Sequence, residues 1–410
     1  MSPDTPVFDL VIAGAGAAGL ALAAAVAQAL GAGATVAVVD PAPPPAGDAT
    51  AASIRTVAIA EGPRRLLGEI GVWAALESKT QPILSMEISD GGVRDAVRPA
   101  HLHFESEGGE PLAHMAFNDD VTAALARRCD GLGVRRFRAS VVGWRAGRAS
   151  AELALSSGET LRARLAAAAD GARSKLAALA GAPVSGWDYP QSGLVATIAH
   201  ERDHEGRAEQ HFLPAGPFAI LPLPGRRSSI VWNERRADAT SLVSLEPEGL
   251  LRELEPRFGA RLGEIRLASR VEAFPFRFQI ARRFVAERLA LVGDAAHVVH
   301  PLAGQGLNLG FRDVAALAET IVNAMRLGLD PGAREPLADY QRARRFDVAA
   351  SGLGMDAMNR LFSNDVAALR LIRDLGLRLV DRSPRLKTML VGEAAGTSEG
   401  APKLLKGMPL

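Results

Sequence analysis

The chain has 410 residues, 48% of them hydrophobic and 23% charged, enough for two or three domains with ample core-forming material. A formal net charge of +1 leaves no global field to attract nucleic acid or an acidic partner. The single cysteine, Cys129, excludes an internal disulfide framework and a cysteine-rich metal site, and favours a reducing, cytoplasmic setting.

In chain order, residues 7–13 form a short apolar run ending in a glycine loop, the pattern of a buried parallel strand. An alanine-rich helix is expected through Leu30 and a second strand over 35–39. The apolar stretch 10–30 is neither a signal peptide nor a membrane span: Asp4 and Asp9 precede it instead of basic residues, and Gly14, Gly16 and Gly19 interrupt it. A Pro/Ala/Gly loop over 41–52 leads to a helix expected over 62–76, with Pro63 at its first position. Short strands over 87–163 enclose one clear helix at 119–129, and a strand at 165–169 runs into Asp170-Gly171. From 181 to about 277, short alternating apolar segments with many Pro and Gly residues point to an antiparallel sheet. A buried strand at 289–292 is followed by a glycine turn and a helix to about Met325; from Pro336 the chain reads as helical, with a loose tail after Gly392.

Three motifs carry chemistry. Gly14-Ala15-Gly16-Ala17-Ala18-Gly19 lies between a strand and a helix, where glycines permit a tight turn and close approach to a pyrophosphate at the helix N-terminus. Asp40 ends the second strand roughly twenty residues later, placed to hydrogen-bond ribose hydroxyls. The second motif, Gly293-Asp294-Ala-Ala-His297, runs into Pro301-Leu-Ala-Gly304-Gln305-Gly306-Leu307-Asn308-Leu309-Gly310. A strand there delivers Asp294 to the sheet's carboxyl edge, and the next helix N-terminus could stabilise the negative charge of a reduced flavin ring. The third, Ala169-Asp170-Gly171-Ala172-Arg173-Ser174, is by itself a common Asp-Gly turn that gains weight from its company.

In this order and spacing the motifs resemble the flavin-dependent aromatic hydroxylases related to p-hydroxybenzoate hydroxylase, and within them the ubiquinone-biosynthesis hydroxylases. The run 293–313 is the most specific part, supported by Ser53-Ile-Arg55, Gly216-Pro217 to Pro222 and Val231-Trp232; the likeness spans about 7 to 390. It implies an α/β architecture: a Rossmann-like FAD-binding domain in two parts, 1–180 and 281–350, an inserted mainly antiparallel substrate domain at 181–280, and a C-terminal helical segment and tail at 351–410. It implies that Gly14, Gly16, Ala17 and Gly19 hold the FAD pyrophosphate and Asp40 the adenosine ribose, with Arg55 near the flavin and its phosphates. Asp294 would bind the ribityl or pyrophosphate side, and Gly304, Gly306, Leu307 and Asn308 would offer backbone to the flavin ring beside Pro301. Asp170 belongs to a motif linked to NAD(P)H use, and Asn118 stands where the family often has a polar flavin contact.

The implied reaction uses NAD(P)H as a transient reductant and O₂ as oxidant, through a hydroperoxide at flavin C4a attacked by a phenol. No catalytic acid–base pair is identifiable, and no second GxGxxG follows a strand. The apolar segment from His211 to Leu223 suits a prenylated ring better than a small charged acid, although it reads equally well as sheet core. His297 with His300, and His101 with His103, lack the further ligands that a metal site requires. Residues 360–387 combine apolar positions with Arg370, Arg373, Arg378, Arg382, Arg385 and Lys387. That pattern suits an anionic membrane surface, which would place the protein peripherally at the inner membrane or in a biosynthetic complex; base rates favour a helix packed on the domain. Alternatives in other classes are a hydroxylase of a small soluble aromatic, a flavin dehydrogenase or reductase without oxygen insertion, and a non-enzymatic FAD-binding protein.

Overall fold

A computed structural model describes residues 6–43, 54–93, 95, 98, 100–106, 110–301, 304–362, 383, 385, 392, 393, 395–398 and 400–410. Strand Val7–Ala13 is central to an eight-stranded sheet, with Val36–Val39 and Thr160–Ala168 as parallel neighbours. Arg135–Phe137 and Leu289–Leu291 extend the parallel array on either side. Leu10, Val11 and Ile12 are fully buried in the main core, which they share with helix Ala17–Leu30 and with Leu153, Leu155 and Leu161 of the 141–168 meander, so the strand reads as a continuous apolar run. Helix Ala17–Leu30 packs against helices Asn118–Gly131 and Gln305–Arg326, its alanines allowing close approach.

A nine-stranded, mainly antiparallel sheet is built chiefly from 184–298. It also takes Ser85–Asp90, which pairs in parallel with Arg207–Leu213, and Ala100–Glu105. Along its central strands Leu194, Ala196, Ile198, Phe218, Ile220, Ile230 and Trp232 pack on one face with helix Pro247–Phe258. Alternation turns Gly193, Ala219, Leu221, Ser229, Val231 and Asn233 to the opposite face. That face meets the first domain, since Thr56 Oγ1 donates to Ser229 Oγ at 2.8 Å. A small third sheet joins Thr56–Ala60, Ala113–Phe117 and Gln81–Ile83.

The mixed α/β class holds, with local differences. The helix expected over 62–76 runs Glu61–Glu69 and stops where Gly71 takes φ 71°; a separate short turn, Trp73–Ala75, follows. The strand expected at 165–169 is longer, Thr160–Ala168, because its first half pairs with the Ala151–Leu155 meander. The tail is not loose at its end: Leu404 and Leu405 are buried, and their short helix packs on helices Glu61–Glu69 and Gln305–Arg326. Beyond 362 the basic amphipathic stretch lies outside the described residues, apart from 383 and 385. Among the described residues no helix is long and apolar enough to cross a membrane.

Candidate active site

The first glycine loop is shaped by contact on two sides and openness on the third. Gly14 has φ 108°, and a Cβ there would lie 2.3 Å from the Ala169 carbonyl oxygen. A Cβ on Gly19 would lie 2.1 Å from the Gly14 oxygen, so only hydrogen lets the helix sit this close to the strand. Gly16 differs: it is exposed, a Cβ there would meet nothing within 4 Å, and it caps helix Ala17–Leu30 with no side-chain partner. The loop thus presents bare amides of a helix N-terminus to open space, the arrangement a pyrophosphate needs. Asp40 braces it, Oδ2 accepting from Ala15 N–H at 2.7 Å and Oδ1 from Ala42 N–H at 2.8 Å. Each oxygen keeps a second lone pair for a ligand hydroxyl.

The second motif converges on the same place. Gly293 takes φ 60°; a Cβ on it would lie 3.5 Å from Ala18 Cβ, in the first turn of the first helix. A Cβ on Gly310, in the second turn of helix Gln305–Arg326, would lie 3.5 Å from Gly293 Cα and 3.8 Å from Ala18 Cβ. Two helix N-termini therefore meet at the Gly293-Asp294 turn. Asp294 is exposed at this turn, with protein packed around its carboxyl. Desolvation pushes its carboxyl above the usual range, against the pull of His297 and Arg55. Gly304 caps the second helix at φ 63°, and Gly306, like Gly16, would put a Cβ into empty space. Pro301 O accepts from Gly304 N–H at 3.1 Å, closing the turn; Leu307 is half-buried against the main core.

Arg55 and Asn118 are neighbours through the Asn118 N–H, which donates to Arg55 O at 3.0 Å. The exposed Arg55 guanidinium lies 4.9 Å from the Phe274 ring centroid, bridging the first domain to the nine-stranded sheet beside Asp294. Asp170 is used differently from the other acids. It accepts from Ser174 Oγ at 2.5 Å and from the amides of Lys175 and Leu176 at 2.8 and 3.2 Å, capping helix Lys175–Leu179. Its backbone still touches the first loop, since Gly14 abuts Ala169 and the Asp170 Cα.

Side-chain roles beneath the turn were not foreseen. Asn308 was expected to offer backbone, yet its buried amide donates to Ala58 O at 2.8 Å and accepts from Ala60 N–H at 3.1 Å, tying the helix to strand Thr56–Ala60. Asp313, fully buried, accepts from Gly293 N–H at 2.9 Å, His297 Nε2 at 2.6 Å and Arg344 Nε at 2.7 Å. Burial pushes this carboxyl up, but His297 and Arg344 more than offset that and hold it below the usual range. The available signal was Arg312-Asp313 on a helix face that is otherwise apolar; charge in a buried stripe asks for partners. His297 thus belongs to this network, and His300 sits apart against Tyr189 and Phe276.

The geometry fits a dinucleotide cofactor whose phosphates the two glycine-lined helix N-termini would hold. The comparisons agree. The family model described as FAD binding domain matches residues 6–350. The chain is 43% identical to the ubiquinone hydroxylase UbiL of Rhodospirillum rubrum, covering 91% of this chain and 87% of that one. It is 35% identical to the 3-demethoxyubiquinol 3-hydroxylase of Escherichia coli, over 84% of this chain and 87% of that one. Among solved structures, the p-nitrophenol 4-monooxygenase of Pseudomonas putida superposes with a TM-score of 0.77 at 18% identity, covering 96% and 99% of the two chains, a likeness of fold.

Proposed function

This chain belongs to the FAD-binding-domain family of flavin-dependent monooxygenases, and from that premise we propose that it hydroxylates the aromatic ring of an apolar polyprenyl phenol in ubiquinone biosynthesis, using NAD(P)H and O₂. The observation that carries the reading is the meeting of two bare helix N-termini at the Gly293-Asp294 turn. When bound, FAD supplies the redox and oxygen-transfer chemistry.

The chain's own residues bind, orient and exclude water. Amides at Gly16, Ala17 and Gly19 receive the pyrophosphate, Asp40 takes the adenosine ribose, and Arg55 with Asp294 flanks the ribityl and phosphate groups. The amides of Gly304, Gly306, Leu307 and Asn308, beside Pro301, would hold the pyrimidine end of the ring, where the helix N-terminus would stabilise negative charge. Asn118 contributes at the same wall through Arg55, and Asp170 stays close through its turn. The half-buried Ala219 and Val231 would give the substrate ring an apolar bed that keeps water out. We assign cofactor binding to 1–180 with 281–350, and substrate binding to 181–280 with the two strands of 85–105 that join its sheet.

Membrane association is part of the same proposal. Helix Arg334–Phe362 exposes Phe346 at 81% and Leu353 at 55% beside a cleft of about 670 Å³ lined by Arg282, Arg283 and Arg345, chemistry that suits an anionic bilayer holding a prenylated substrate. Vesicles with anionic lipid should retain the wild type and lose Phe346→Ser/Leu353→Ser.

The deciding experiment is the visible spectrum of the FAD-loaded protein with NADPH and then O₂, with and without a prenylphenol. Bleaching accelerated by the phenol and followed by hydroxylated product supports the reading. Bleaching without product under every prenylphenol tried points to a dehydrogenase, and a protein that binds no FAD overturns the reading.

A further inference from the structure

His300 is fully buried, and among the described residues neither of its ring nitrogens has a hydrogen-bond partner. An unsatisfied buried polar atom costs roughly 1–3 kcal/mol, so two on one ring call for an explanation. Its neighbours are ring edges: Tyr189 at 5.2 Å and Phe276 at 4.8 Å between centroids, both T-shaped. Tyr189 does not donate to it, because its hydroxyl hydrogen goes to Asp356 Oδ1 at 2.7 Å. Desolvation lowers the His300 pKa to about 4, so at neutral pH the imidazole is uncharged, with one nitrogen a bare acceptor.

A second orphan lies close by. Asn233 Oδ1 is buried without a partner, on the sheet face that meets the first domain. A Cβ on Gly193 would lie 3.7 Å from that oxygen and 2.4 Å from Phe276 Cζ. The tip of the Phe276 ring therefore covers bare backbone at Gly193, next to Asn233, while His300 packs against the same ring. His300 and Asn233 thus flank one phenyl group, each with an unpartnered polar atom, and His300 is bonded directly to Pro301 in the turn that opens helix Gln305–Arg326.

We propose that His300 and Asn233 form the head-group site of the phenolic substrate, with His300 accepting the hydroxyl hydrogen and Asn233 taking a second ring oxygen. This rests on the hydroxylase reading above. The substrate ring takes the place of the Phe276 phenyl group, which rotates aside, and both orphaned atoms gain partners on binding. The hydroxyl keeps its proton; donating it into a hydrogen bond raises electron density on the ring and makes the carbon to be hydroxylated more nucleophilic. A phenol methyl ether of the same size has no hydrogen to donate, so the site discriminates between the two.

The test uses FAD-loaded protein titrated with a diprenylated phenol and its methyl ether, binding being followed by the flavin absorbance change. The wild type should bind the phenol about tenfold or more tightly than the ether. In His300→Phe the ratio should fall to about one, with FAD content and melting temperature retained, and His300→Gln, which restores an acceptor, should recover part of it. Asn233→Val should weaken binding of a dihydric phenol more than of a monohydric one. If His300→Phe does not hold FAD, ring ¹⁵N shifts in the wild-type holoprotein decide: one histidine should respond to the phenol and not to the ether. A preserved tenfold preference in His300→Phe, or a wild type with no preference, overturns this assignment and leaves the hydroxylase reading standing. A wild type that holds FAD and hydroxylates no phenol overturns the hydroxylase reading itself.

Discussion

Replacing Asp313 should damage the protein in two measurable ways. The carboxylate sits at the meeting point of Gly293 N–H, His297 Nε2 and Arg344 Nε, all within 2.9 Å, and Asp313, His297 and Arg344 are each less than 5% exposed. Removing one member of a buried charge cluster costs about 3–5 kcal/mol, chiefly because the remaining charge is stranded. Arg344 retains an ion pair with Asp347, so the lower end applies, about 3 kcal/mol for Asp313→Ala. Asp313→Asn keeps the volume but turns an NH₂ toward a donor, and should cost roughly 2 kcal/mol. Urea unfolding followed by circular dichroism measures this, with the double variant Asp313→Asn/His297→Phe closing a cycle that should show at least about 1 kcal/mol of coupling. The sign with pH follows from the lowered pKa. The wild type draws full stability from Asp313 above the unfolded pKa of about 4 and loses it as pH falls through the lower folded value; Asp313→Asn lacks that component. FAD affinity should also drop about tenfold, since the Gly293-Asp294 turn loses its anchor. A change under about 0.5 kcal/mol with FAD affinity intact would refute the reasoning.

The glycines separate packing from ligand approach. Gly19→Ala forces a Cβ onto the Gly14 oxygen and should destabilise the fold by about 1–3 kcal/mol in urea titrations, whereas Gly16→Ala meets nothing and should melt like wild type while binding FAD at least tenfold more weakly. Asn308→Ala removes the ties to Ala58 and Ala60 and should cost about 1–3 kcal/mol by the same assay. Burial pushes the Cys129 thiol up to about 12, so a disulfide reagent at pH 8 should label it only after unfolding. The His300 pKa, lowered to about 4, means the unfolded chain takes up a proton that the native state refuses. Stability should be full above pH 6.5 and decline by up to about 3 kcal/mol toward pH 4, and His300→Phe should flatten that slope.

What could be read from the sequence was local. Gly14, Gly16 and Gly19 announce their turn because strand, loop and helix are contiguous, and the same holds for Gly293 to Gly310. What could not be read depends on partners far along the chain. Asn308 bonds residues some 250 positions away, and Asp313 meets Arg344 on another helix. Asp170 shows a further limit, since an Asp-Gly turn gives no sign of whether its carboxylate faces a ligand or caps the next helix, as it does here. The Ser85–Asp90 strand also escaped the expected boundary of the antiparallel sheet: its partner, Arg207–Leu213, lies more than a hundred residues later, and parallel pairing leaves no hairpin signal.

The order of strands in the parallel sheet also governs when the enzyme can become a flavoprotein. The first glycine loop needs Val7–Ala13 paired with Val36–Val39 and also the Ala169 backbone against Gly14, the turn that meets it comes after Leu289–Leu291, and Ser85–Asp90 waits for Arg207–Leu213. Such distant pairings make folding slow and leave the early strands without neighbours while the ribosome is still at work. Cofactor capture must then be a late event, following release of nearly the whole chain.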